Sequence, residues 1–245
     1  MLIVGSHVSP YVRKVLVALA IKGIDHEVDP ITPFYGNDDF SRLSPLRRIP
    51  VLVDGELVLN DSTIICEYLD EVHPEPPLMP RGAADRARAR WLEEFADSRL
   101  GDLIIWRLFY ATMVAPRVFA KQPDPEDLAR VTEAELPAAL DWIEAQAPAA
   151  GFLFGPVCTA EIGLACFFRN AAIAGWTIDP ERWPRAAAWI ARVQAVPEFA
   201  ATMPMEAAIL TSKTHERREA LIAAGARISE TSYGEPEPRM SIMLR

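Results

Sequence analysis

Arg48-Ile49-Pro50-Val51-Leu52-Val53-Asp54-Gly55-Glu56-Leu57-Val58-Leu59-Asn60-Asp61-Ser62-Thr63 is the stretch from which the fold is read. Two short apolar runs, 51–53 and 57–59, flank Asp54-Gly55-Glu56. An Asp-Gly pair suits turn positions that require φ > 0, so the runs pair as a hairpin. Both runs are apolar at successive residues, which predicts a sheet covered on both faces. A proline opening the first run, Pro50, means an edge position or a cis bond. A cis bond would turn the Ile49 amide outward as a free hydrogen-bonding edge; a trans proline would simply start an edge strand, and both readings stay open. Asn60-Asp61-Ser62-Thr63 places four capping-type residues ahead of an apolar helical stretch, 61–71. These residues read either as a plain cap or as a carboxylate site. In the second case Ser62 and nearby N–H groups hold an anion while Asp61 holds a cation, a combination that suits an amino-acid head group.

Upstream, Leu2-Ile3-Val4 is a strand, 10–22 a helix stopped by Gly23, and 26–29 a second strand. Residues 34–43 read as irregular with one or two helical turns. The helix begins at Ser9-Pro10-Tyr11-Val12-Arg13. Serine is a favoured N-cap and proline a favoured first helical residue, so Ser9 reads as a cap. The same geometry also suits an anion, because the open N–H groups and the positive dipole end favour negative charge and a hydroxyl can donate to it.

Downstream, His73-Pro74-Glu75-Pro76-Pro77-Leu78-Met79-Pro80-Arg81-Gly82 holds four prolines and marks a domain boundary. Strands vanish after it. The pattern gives a long helix from 83 to about 112 broken by Pro116, a second over 125–147 kinked at Pro137, and a nearly all-apolar core helix over 159–175. A helix over 183–196, a turn at Phe199 and a helix within 205–225, packed on the helical domain, follow. The reading is therefore an α/β first domain over 1–75, an all-helical domain over 83–210 and a C-terminal extension over 211–245. The last 20 residues look irregular and end in Met240-Ser241-Ile242-Met243-Leu244. They read as a disordered end, or as a lid over a greasy pocket. On either reading, removing 226–245 is expected to leave binding by the first domain unchanged.

Composition excludes several classes. The chain has 245 residues, 50% hydrophobic and 24% charged, which is ordinary globular usage. With 25 basic against 34 acidic residues and a net charge of -9, it is not expected to bind nucleic acid through phosphate neutralisation. No run approaches about 18 charge-free apolar residues, so no membrane span is expected. The start shows no signal-peptide pattern. Cys66, Cys158 and Cys166 are too scattered for a disulfide framework, which points to a cytoplasmic location. His7, His26, His73 and His215 have no ligand spacing, so no metal site is expected, and His7 reads as a solvated loop residue. Arg81, Arg86, Arg88 and Arg90, interleaved with Asp85, Glu93 and Glu94, read as a solvated helix face or a subunit contact. The six tryptophans read mostly as core.

The serine-proline helix start, the Ile-Pro near residue 50 and the Asp-Ser helix start some 12 residues later resemble the glutathione transferase family in order and spacing. Leu43-Ser44-Pro45, the hairpin, and Ile65-Cys66-Glu67-Tyr68-Leu69 extend the resemblance, which covers about residues 1–210 and is specific in the first 75. It implies a thioredoxin-like domain followed by an all-α domain, and glutathione as co-substrate. It implies that Ser9 stabilises the glutathione thiolate, that Ile49 before cis-Pro50 pairs its backbone with the cysteinyl unit, and that Asp61 and Ser62 hold the γ-glutamyl head group. Tyr11, Arg107 and Tyr110 are implied as walls of the second pocket, where a small hydrophobic electrophile meets the thiolate between the domains. A homodimer is implied as well. A glutathione-dependent isomerase or dehalogenase, or a non-catalytic binding protein on the same fold, are the alternatives; a thiol-exchange enzyme is disfavoured, since no cysteine lies near residue 9. Two departures stand out. Ser44, Pro45, Leu46 and Arg47 replace the family's usual residues before the Ile-Pro, and Cys158-Thr159-Ala160-Glu161 replaces its Ser/Thr-x-x-Asp capping box, which is expected to be incomplete, with Thr159 available to cap one residue later.

Overall fold

A computed structural model of the chain describes residues 1–239. The chain divides into two compact units, Met1–Pro76 with Pro197–Arg245, and Pro77–Val196.

In the first unit, β1 (Leu2–Val4), α1 (Pro10–Ile21), β2 (Glu27–Asp29), α2 (Asp38–Leu43), β3 (Val51–Asp54), β4 (Leu57–Asn60) and α3 (Ser62–Val72) follow in order, with a 3₁₀ turn at Pro33–Tyr35. The sheet order is β2-β1-β3-β4. β1 pairs parallel with β2, and the connection between them runs through α1, as parallel neighbours require. β1 and β4 both pair antiparallel with β3, in the registers Val4↔Val51 and Val51↔Asn60. This is the thioredoxin-like sheet expected, with an all-α region following it. β1 and β3 are central: Ile3, Val4, Val51 and Leu52 are fully buried. Pro50 therefore opens an inner strand, and the Ile49–Pro50 bond is cis. β4 departs from expectation. It is an edge strand, and Leu57 and Val58 are exposed. Its successive apolar residues therefore do not mark two covered faces.

The second unit is helical. α4 (Ala83–Phe95) runs on through a π-wound stretch, Ala96–Val114, into α5 (Ala115–Phe119). Pro116 does not break this helix. It sits at the start of α5, where α winding resumes and a missing N–H costs little. The stretch α6 (Pro125–Arg130), a π turn at Val131–Glu135 and α7 (Leu136–Gln146) shows the same logic at Pro137: the widened turn ends at Glu135, two residues before the proline that cannot donate into it. α8 (Thr159–Ile173) is the core helix, with Leu164, Phe167 and Ala171 among many residues sealed from solvent. Each such Leu or Phe side chain contributes about 1.5–3 kcal/mol on burial. The α8 capping box is complete, with the Cys158 sulfur in the hydroxyl's place and Glu161 accepting from the Cys158 amide at 3.4 Å. Thr159 does not cap; its hydroxyl faces the Met79 sulfur at 3.2 Å. Glu161 also accepts from the Leu153 amide and the Trp189 indole, both within 2.9 Å. α9 (Pro184–Gln194) completes the unit. Trp189 is fully buried, whereas Trp91 is 59% exposed, against the expectation of core.

The C-terminal segment belongs to the first unit, not to the helical one. α10 (Pro197–Ala200) and α11 (Met203–Thr211) precede α12 (Arg217–Ala223), so the single helix expected within 205–225 is two. Arg13 of α1 and Glu206 of α11, both fully buried, form an ion pair at 2.6 Å. Residues 226–239 are not a disordered end; 227–229 lie along the outer edge of β2, where Val28 and Ile228 form a parallel bridge, and 233–239 bond to the segment 34–37. The terminal apolar cluster, 240–244, lies outside the described residues. Among the described residues no helix is long and apolar enough to cross a membrane, and no group of potential ligands could hold a metal.

Candidate functional site

The β-sheet register brings three sequence features to one end of the sheet. Val4, Val51 and Asn60 are laterally paired neighbours. The chain leaves β1 after Val4 toward Ser9, enters β3 before Val51 through Ile49-Pro50, and leaves β4 after Asn60 toward Asp61 and Ser62. Gly5 is required here. Its φ is 154°, and a Cβ would lie 2.5 Å from Val12 and 3.1 Å from the Ile49 Cβ. Asn60 donates its side-chain amide to the Leu43 carbonyl at 2.8 Å, anchoring the far side. Sequence reasoning missed Gly5 and read Asn60 only as a capping-type residue. A glycine directly after a buried strand was the available signal for the first.

Ser9 caps α1, and its Oγ accepts from the Val12 amide at a long 3.4 Å. The two sequence readings are thereby compatible: capping uses an oxygen lone pair, and the hydroxyl hydrogen has no acceptor among the described residues. Ile49 has no main-chain hydrogen bond to any described residue. Its side chain packs with Val4, Phe40 and Val51.

At α3 the division of labour is sharper. Asp61 is held at φ 80°, ψ 132°, which costs a residue bearing a Cβ about 1–3 kcal/mol. Its Oδ1 accepts from the Thr63 amide at 2.8 Å and the Ile64 amide at 3.3 Å, and its carbonyl takes the Ile65 amide. Of the first-turn donors, Ser62 alone is left open. Its N–H has no partner among the described residues, and its Oγ, on a residue only 1% exposed, has none either. A buried hydroxyl and an amide with nothing to donate to are costly unless something supplies the acceptor.

His7 is buried at 3% exposure, not solvated as expected. Burial, with His26 and Arg13 nearby, lowers its pKa to about 4, and its Nδ1 has no partner among the described residues. Among the residues implied for the second pocket, Tyr11 and Tyr110 are half-buried. Burial raises the Tyr110 pKa. Arg107 is committed elsewhere. Its guanidinium holds Asp127 and Glu135 at 2.7 and 2.8 Å, with Asp102 at 3.4 Å, tying the π-wound stretch to α6 and the turn after it. That pairing raises the Arg107 pKa and draws Glu135 down to about 2. Cys158 is inert, since burial pushes its thiol up to about 12.

The profile of the glutathione S-transferase N-terminal domain family matches residues 3–77. An uncharacterised glutathione-transferase-like protein of Escherichia coli, YibF, is 31% identical over 189 residues, which are 73% of this chain and 88% of that one. A crystal structure of a glutathione S-transferase from Rhodospirillum rubrum superposes with a TM-score of 0.75 at 30% identity, covering 90% of this chain and 97% of that one. The chain belongs to the glutathione S-transferase family. Glutathione S-transferase Z1 of Arabidopsis thaliana is 46% identical over 78 residues, 31% of this chain. That match spans 35% of the plant protein, so the chain spans about a third of the length of this relative.

Proposed function

We propose that the chain is a serine-type glutathione transferase that joins glutathione to a small hydrophobic electrophile. The observation that carries the proposal is Ser62, with both its donors open at the start of α3 beside the strained Asp61. An amino-acid carboxylate supplies the missing acceptor, and the helix start favours its charge. The Asp61 carboxylate, whose Oδ1 is spent on the cap, offers its second oxygen to the accompanying ammonium. Ile49 offers an unpaired main-chain edge to the next residue of a peptide. Ser9 offers a hydroxyl hydrogen where a thiol would follow. The four groups suit γ-glutamyl-cysteinyl chemistry from head group to sulfur.

Bound glutathione supplies a thiol whose ionised form attacks an electrophilic carbon. The work of Ser9 is to donate to that sulfur, favouring the thiolate at neutral pH; Ser9 is not itself the nucleophile. Asp61, Ser62 and Ile49 position the peptide, so the sulfur is delivered in a fixed place. Tyr11 remains proposed as a contact for the electrophile. Arg107 is better read as a strut, given its three carboxylate partners. A homodimer and a cytoplasmic location belong to the same reading; the lack of any disulfide among the three buried cysteines supports the second.

The test is equilibrium binding of glutathione to the wild type and to Ser62→Ala, followed by product analysis with a panel of electrophiles. Loss of one hydrogen bond to a charged group should weaken binding about tenfold or more. Release of unchanged glutathione with a rearranged product would make the enzyme an isomerase. Absence of glutathione binding by the wild type would refute the proposal.

A further inference from the structure

The tail 226–239 is built into the glutathione S-transferase N-terminal unit by bonds along its length. The Val28 amide donates to the Arg227 carbonyl at 2.8 Å, and the Ser229 amide to the Val28 carbonyl at 3.0 Å. These bonds add the tail to β2 as a parallel neighbour and close that edge of the sheet. Next, the Asp29 carboxylate, 2% exposed, accepts from the Ser232 hydroxyl at 2.8 Å and the Tyr233 amide at 2.7 Å. The tail then crosses the segment between β2 and β3. The Asn37 amide donates to the Tyr233 carbonyl at 2.8 Å, and the Glu235 and Arg239 amides donate to the carbonyls of Tyr35 and Phe34, both at 2.7 Å. Arg239 pairs with Asp38 of α2 at 2.6 Å. Gly36 and Gly234 form an antiparallel bridge. Close packing requires Gly36, where a Cβ would meet the Phe40 ring at 2.1 Å; one at Gly234 would press on Ile31 at 3.0 Å. The segment so held has little regular structure of its own, only a 3₁₀ turn and the six-residue α2. It leads into Ile49, and the Tyr233 side chain packs in the same small cluster as Phe40, Val51 and Ile49.

We infer that residues 226–239 are a strap that holds the 31–49 segment, and through it Ile49, in the geometry that binds glutathione, with Asp29 and Tyr233 as positioning residues for the site. The inference rests on the function proposed above. It reverses the expectation that removing the tail leaves binding by the first domain unchanged. A segment of this kind, tied mainly by a neighbouring chain stretch, opens locally when that stretch is lost. If the binding-competent fraction falls to about a tenth, the apparent dissociation constant rises about tenfold.

Three variants test it: the chain ended after Gly225, and full-length Tyr233→Ala and Asp29→Asn, with Tyr233→Phe as the conservative control. Amide hydrogen exchange comes first, because it needs no ligand. Exchange over 31–48 should accelerate in the truncation and in Tyr233→Ala, while that of β3 and α3 stays protected and Tyr233→Phe behaves as wild type. Glutathione KM and dissociation constant should rise about tenfold, with kcat at saturating glutathione little changed, since ligand repopulates the ordered segment. Should the truncated chain fail to fold, the full-length variants carry the same readouts. Unchanged exchange over 31–48 overturns the strap. Accelerated exchange with unchanged glutathione affinity overturns its link to the site. A wild type that binds no glutathione refutes the proposed function, and the exchange result still decides the strap.

Discussion

Ser9 and Ser62 show why capping residues are hard to read from sequence. Each occupies a helix start, where serine needs no function to be favoured. What separates them from ordinary caps is an unspent hydrogen-bonding group: the hydroxyl hydrogen of Ser9, and both donors of Ser62. No spacing rule reveals that, because it depends on Asp61 taking the Thr63 and Ile64 amides first. Asp61→Asn should keep the cap, since an amide oxygen still accepts, yet weaken glutathione binding by removing the charge. Its thermal midpoint should stay near wild type while its dissociation constant rises. Equal losses in both would reduce Asp61 to a cap.

His7 belongs to the same scale. Its pKa is about 6.5 in the unfolded chain and about 4 when folded, so the folded state resists its protonation. Its stabilising contribution is complete above pH 6.5 and is lost as the pH falls toward 4, amounting to about 3 kcal/mol over that window. Urea unfolding at pH 7 and pH 4.5 should show that loss in the wild type and a flatter dependence in His7→Gln. An equal slope in the two proteins would remove His7 from the account.

At the level of elements, the patterned segments were legible and the exceptions have causes. β1, the hairpin, α1 and α3 fall where periodicity and turn chemistry put them, because one local signal sets each. Pro116 misleads, since the helix runs on through a widened stretch that ends at Val114 and resumes α winding where the missing donor costs little. The α8 start misleads in another way: sulfur substitutes for oxygen, and Glu161 is so well engaged that the box survives. Glu161→Ala would leave the Leu153 amide and the Trp189 indole without their acceptor in a buried setting. A loss of about 3 kcal/mol or more in unfolding free energy is expected. A loss below 1 kcal/mol, read by the same denaturant titration, would mean water takes its place.

For the whole molecule, the sequence marks a boundary within 73–82 because four prolines and a composition shift announce it. It does not show that the chain after Val196 returns to the first unit. That return is fixed by long-range pairs, Arg13 with Glu206 and Asp29 with Ser232 and Tyr233, and no local pattern encodes partners some 200 residues apart. The proposed homodimer also lives at this scale. Sedimentation should give twice the mass of the chain, and a monomer at all concentrations would contradict it.

The most direct test of the central claim is an ultraviolet titration of the glutathione thiolate bound to the wild type and to Ser9→Ala. The account predicts a sulfur that ionises below neutral pH in the wild type and well above it in the variant, with kcat lower by about 10²-fold and glutathione affinity little changed. The same ionisation and the same turnover in both proteins would contradict it.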